Sequence, residues 1–273
     1  MSNISLTASM RSNLLSLQNT QSLMDTTQER LSTGKKVNSA IDNPSSYYTA
    51  QSLNNRASDL SSLLDSMGQA IQAIKAADEG IEAITTFAQQ AKAVAQSAAD
   101  SSVAADRTAY QKQFNDILGQ IDGVAKDSGY KGVNLLNGGS LSVKFNEDGT
   151  SKLDIKGVSA TSAGLKVNKA DAWGTVDEAG GQAIEASMKA VDTAISTLRS
   201  MASEFGNNYS IVQSREDFTE NLINVLTEGA DKLTLADMNE ESANMLALQT
   251  RQQLAINSLS LASQAAQSVL KLF

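Results

Sequence analysis

The stretch MRSNLLSLQNTQSLMDTTQERL, residues 10–31, repeats on a seven-residue period. Met10, Leu14, Leu17, Gln21, Met24, Gln28 and Leu31 fall at alternating steps of four and three. Such a repeat keeps one stripe of a helix turned toward a partner helix. The far end of the chain follows the same rule through Met245, Leu248, Gln252, Ala255, Leu259, Ala262, Ala266, Val269 and Phe273. Both stripes carry glutamine at seam positions, which weakens an isolated pair but fixes register in a larger bundle. The competing reading is an ordinary amphipathic helix packed on its own domain.

Composition supports long helices. Only 4% of the 273 residues are aromatic, and there is one Trp and one Pro. Large aromatic side chains dominate the burial of thick cores, so their scarcity points to narrow helix–helix seams. A single proline lets helices run on without interruption. The net charge of −8 repels phosphate backbones, which argues against nucleic-acid binding. Cysteine and histidine are both absent. That removes disulfides, thiolate nucleophiles, Ser-His-Asp catalysis and the usual zinc and copper ligands. No cofactor and no metal site is expected. The opening residues lack a basic region followed by an apolar run, so they do not read as a cleaved secretory signal. No apolar run is long enough for a membrane span.

Gly34 reads as the stop of the first helix, and Asn43-Pro44 as the N-cap and first residue of the next. From Leu53 to Ala98 apolar residues recur at helical spacing, which predicts a helix of some 45 residues, about 70 Å long, and hence a rod. Gly68 and Gly80 inside it invite a local bend. A shorter helix carries Tyr110, Phe114, Ile117, Ile121 and Val124 on one face, followed by the turn-rich SGYKGVNLLNGG at 128–139. A β-hairpin near 141–156 is expected to pair Phe145 with Leu153 and Val143 with Ile155, around an odd-numbered loop at Asp148-Gly149. Residues 157–181 read as loop, and a second long helix is expected from about 182 to 230. Asp237 and Glu240 have capping-box spacing before the last seam. The fold class is therefore mainly α: long antiparallel helices, a small hairpin, and terminal coiled-coil helices.

No catalytic set emerges. Ser32 and Lys35 have S-x-x-K spacing but no partner motifs, and read as a helix end. Asn146 to Gly149 lacks the ligand pattern of a calcium loop and reads as a turn. Glu240 and Glu241 are neighbours that point apart on a helix, placed where the helix dipole favours acids. An enzyme is not expected.

Both ends resemble a known family, bacterial flagellin. QERLSTGKKVNSAIDNPSSYYTAQSL at 28–53 resembles its N-terminal arm, with Arg30, Leu31, Ser32 and Gly34 in one element and Asn38, Ser39, Ala40 and Asp42 in the next. ALQTRQQLAINSLSLASQAAQSVLKLF at 247–273 is similar to its closing helix, and GYKGVNLL at 129–136 to the segment after its second core helix. The resemblance implies a structural, non-enzymatic subunit of the flagellar filament, exported without a cleaved signal and located outside the cell. It implies inner-tube helices at 1–42 and 237–273 around which 43–236 form a rod, nearly minimal in size. Met10, Leu14, Leu17, Met24, Leu31, Met245, Leu248, Ala255, Leu259, Ala262, Val269 and Phe273 would form the polymerisation seam. Partners implied are further copies of itself, a flagellar export chaperone, the export apparatus, and the filament cap and hook-associated proteins. Isolated termini are expected to gain order on assembly. One departure stands out. Where flagellins sensed by the mammalian Toll-like receptor carry Arg-x-Arg-Glu-Leu, this chain has Gln89, Ala91 and Lys92, which implies weak receptor activation. The alternatives are a hook–filament junction protein, distinguished by copy number, and a cytosolic helical scaffold or binding module ordered to its ends.

Overall fold

The computed structural model of the chain describes residues 8–271. Five helices and one hairpin follow in order: α1 (Ala8–Thr33), α2 (Pro44–Asp100), α3 (Ala104–Asp127), β1 (Ser140–Lys144), β2 (Lys152–Lys156), α4 (Glu178–Thr234) and α5 (Met238–Lys271). They pack as two compact units, Met1–Asn55 with Val225–Phe273, and Arg56–Asn224. The division falls inside α2 and α4. Packing partners change along a helix even where its backbone hydrogen bonds continue.

In the unit Arg56–Asn224, the stripe of α2 is the core. Met67, Ile74, Ala77, Ile84, Ala91, Ala95 and Ala98 are fully buried, together with Phe114 and Leu118 of α3 and Ile184, Leu198, Phe205 and Val212 of α4. On α3 the buried face is Phe114, Leu118, Ile121 and Ala125, while Tyr110, Ile117 and Val124 flank it. Alanine fills much of the α2 seam. Gly80 lies against the segment that follows α3: a Cβ there would stand 2.6 Å from Leu136 Cδ1 and would also strike Ser128 Oγ. Its absence of a side chain serves packing, and α2 remains one uninterrupted helix of 57 residues.

The hairpin corrects the expected register by two residues. Leu141 faces Ile155 and Val143 faces Leu153, so Phe145 does not pair with Leu153. The loop is odd-numbered as expected, with residues 145–151 between the last pair, Lys144 and Lys152. Asn146 organises it: its Oδ1 accepts the Ser151 amide at 2.9 Å and its Nδ2 donates to Thr150 Oγ1 at 2.6 Å. A side chain that bonds its own turn fixes where the turn falls, and with it the register. Phe145 lies instead with the Arg215 guanidinium 5.3 Å over its ring.

The expected loop ends earlier than 181, because Asp177 Oδ1 accepts the Gly180 amide at 2.9 Å and caps α4 at its start. It is also sewn to α3. Asn115 exchanges two hydrogen bonds with the backbone of Ala170, at 2.7 and 3.1 Å, and Gln111 accepts the Trp173 amide at 3.1 Å. Trp173 is thereby buried beside Phe114, ring centroids 5.0 Å apart.

Candidate functional site

In the other unit, α1 packs along α5. The pairing is antiparallel, since Gln252 Nε2 donates to Gln21 Oε1 at 2.8 Å while Arg30 Nη1 donates to Glu241 Oε1 at 2.9 Å. The shielded side chains of α5 include Glu241, Met245, Leu248, Gln252, Ala255, Leu259 and Ala262, the stripe read from the sequence extended one step toward the N-terminus. Glu241, read from the sequence only as a first-turn acid, belongs to the seam. It stands four before Met245, so the heptad itself points to it, and its side chain is only 9% exposed. Of the remaining seam residues, the Val269 side chain and Phe273 lie outside the described residues.

On α1 the two readings part. Met10, Leu17, Met24 and Leu31 are half-buried, but the residues between them that turn inward are Asn13, Thr20 and Thr27. Leu14, Gln21 and Gln28 are exposed. Thr20 tolerates burial because its hydroxyl donates to the Ser16 carbonyl at 2.8 Å. Threonine is also shorter than leucine and lets the two axes approach. The outcome is an apolar edge that α1 and α5 do not cover for each other. Leu15 is 63% exposed, Leu254 62% and Leu261 67%, with Leu14, Leu23, Leu246 and Ile256 also in water.

The motif residues at 30–42 build the joint where α1 ends and α5 begins. Gly34 adopts φ +71°, a left-handed stop available to glycine without a Cβ clash, and its amide closes on the Arg30 carbonyl at 2.8 Å. The chain then runs beside the end of α4: Lys36 N donates to Thr234 O at 2.7 Å and Ala236 N to Gly34 O at 3.0 Å. Val37 is buried there, while Ser32 is exposed and Ala40 half-buried. Asp42 gathers the amides of Asn38 and Ser39 at 3.0 and 2.9 Å and the Ser39 hydroxyl at 3.2 Å. Those amides, Ser39 first, hold its carboxyl below the usual carboxylate range. Asn43 Oδ1 then caps α2 by accepting the Ser46 amide at 3.0 Å. Asp237 caps α5 in the same way, accepting the Asn239 amide at 2.9 Å.

The other singled-out residues lie on α2. Ala91 is buried in the core, Gln89 is exposed, and Lys92 Nζ stands 2.6 Å from Asp192 Oδ1. Among the described residues no group of His, Cys, Asp or Glu is placed to hold a metal ion, and no helix is long and apolar enough to cross a membrane.

Comparison with known proteins gives a consistent match. Residues 4–140 match the bacterial flagellin N-terminal helical region and residues 188–273 the bacterial flagellin C-terminal helical region. Flagellin FljK of Caulobacter vibrioides is 29% identical over 95% of this chain and 94% of its own length. A flagellin of Brucella melitensis is 28% identical over 95% of each. Among solved structures, a putative flagellar hook-associated protein from Vibrio parahaemolyticus superposes with a TM-score of 0.58 at 10% identity, over 71% of this chain and all of that one; it shares the fold.

Proposed function

Because this chain belongs to the bacterial flagellin family, we propose that the leucine edge left open on α1 and α5 is the surface by which successive copies join. The protein is a structural subunit of the flagellar filament. One observation carries the finer reading: leucines more than 60% exposed stand on helices whose opposite stripes are already paired. A helix pair saturated on one side and apolar on the other is stable only marginally in water and gains burial from neighbours. In this reading residues 1–42 and 237–273 form the inner part of the filament and 43–236 the part around it. The helices reach full order as copies add, with burial offsetting the entropy of ordering.

Export through the flagellar apparatus, location outside the cell, and contacts with an export chaperone, the filament cap and hook-associated proteins belong to the same proposal. Membership of the family supports them.

The test uses the full chain. Leu15→Ser, Leu254→Ser and Leu261→Ser each remove one exposed side chain without touching the α1–α5 seam. Burying a leucine contributes roughly 1.5–3 kcal/mol, so each variant is expected to raise the critical concentration for filaments about tenfold or more. The thermal unfolding of the unassembled subunit should stay as in the parent. Filaments forming at the parent's concentration from all three variants would remove the proposal.

A further inference from the structure

Ile41 is 93% exposed, the most exposed of the large hydrophobic side chains among the described residues. A scattered surface aliphatic is ordinary. This one is held out by a bonded turn. Asp42 gathers the amides of Asn38 and Ser39, Ser39 Oγ accepts the Ile41 amide at 3.3 Å, and the Asp42 amide returns to the Ser39 carbonyl at 3.3 Å. The turn presents a branched aliphatic knob whose backbone is already ordered, so little further entropy is lost when it docks.

The unit Arg56–Asn224 carries a hole of matching size. Between α2 and α4, Ile74, Phe205, Gly206 and Tyr209 line a pocket of about 190 Å³, with Lys75 and Asp78 at its rim. A cavity of about 150 Å³ lined by apolar side chains holds a benzene molecule, so this one accepts a four-carbon aliphatic chain. A side chain at Gly206 would point into open space, since nothing lies within 4 Å of where its Cβ would stand. The Lys75 ammonium stands 5.6 Å from the Tyr209 ring centroid, which places a cation beside the opening. The knob carries the opposite charge next to it, on Asp42.

A helical filament is built on heterologous contacts, in which a surface on one copy meets a different surface on the next. Knob and hole on one chain meet that requirement. We propose that Ile41 of one subunit inserts into the Ile74–Phe205–Tyr209 pocket of a neighbouring copy, bringing Asp42 beside Lys75. The inference rests on the reading of the chain as a filament subunit.

The chain has no cysteine, so engineered ones are unique. Ile41→Cys and Gly206→Cys are made in separate full-length chains, co-assembled, and oxidised in air with copper–phenanthroline. A disulfide-linked dimer is expected in mixed filaments, and not in the unassembled mixture or in filaments of either variant alone. Ile41→Ser is expected to raise the critical concentration about tenfold with subunit unfolding unchanged. Mixed filaments without the link, or Ile41→Ser assembling at the parent's concentration, overturn the pairing and leave the filament reading intact. Failure of the unaltered chain to form filaments overturns both.

Discussion

Arg30 and Glu241 are 211 residues apart in the chain, and their side chains meet at 2.9 Å. The contact ties the last turn of α1 to the first turn of α5, beside the backbone bonds that join Gly34 and Lys36 to Ala236 and Thr234. Glu241 is 9% exposed and Arg30 39%, so the acid depends on the arginine while the arginine retains water.

Removing Arg30 leaves Glu241 shielded and unpaired. Fully buried pairs lose 3–5 kcal/mol on such a change; with Arg30 partly solvated, Arg30→Ala is expected to cost about 1–2 kcal/mol. Hydrogen exchange should rise first around residues 27–33 and 238–245. A double-mutant cycle with Glu241→Ala that finds no coupling would deny the pair any part in joining the helices.

Two glycines should respond differently to alanine. At Gly80 the new Cβ meets Leu136 Cδ1 at 2.6 Å inside a packed core, so Gly80→Ala is expected to destabilise by roughly 1–3 kcal/mol through overpacking. At Gly34 nothing lies within 4 Å, and Gly34→Ala should cost only about 1–2 kcal/mol from the left-handed backbone. Chemical unfolding should place the first loss in the unit Arg56–Asn224 and the second in the unit of the terminal helices. Equal, location-independent effects would contradict this division.

Acid should loosen the joint, and neutral pH changes should not. Asp42 is lowered by the Ser39 and Asn38 amides, and Asp177 by the Gly180 amide and the Thr175 hydroxyl. A carboxylate lowered in the folded state stabilises fully above its unfolded pKa of about 4, and that contribution is lost as pH falls through the folded value. Stability should therefore fall below about pH 4. Assembly should stay level between pH 6 and 8, because the chain has no histidine. A sharp assembly transition near neutrality is the result that would count against this account.

The family resemblance implies that the stretch at Gln89–Lys92 sets the response of the Toll-like receptor, and this can be tested. Ala91 is buried and the Lys92 ammonium is engaged by Asp192 at 2.6 Å, so residues 89–92 themselves present neither an arginine nor an acid. Purified monomer is expected to activate a receptor reporter cell line weakly. Robust signalling at low concentration would refute this.

The sequence by itself determined the elements. Repeats of period three and four marked α2, α4 and α5, Gly34 and Asn43 marked where helices stop and start, and the arm motifs pointed to the family. Each of these signals is local, set by side chains within one or two turns of one another. The tertiary structure alone decided which face of α1 meets α5: Thr20 and Thr27 are buried there, while Leu14, Gln21 and Gln28 stay exposed. It alone paired Arg30 with Glu241, set the hairpin two residues from the expected register, and closed the 157–177 loop onto Asn115 and Gln111. Those outcomes join residues distant in the chain, and a side chain's partner is fixed by three-dimensional packing that no local period encodes.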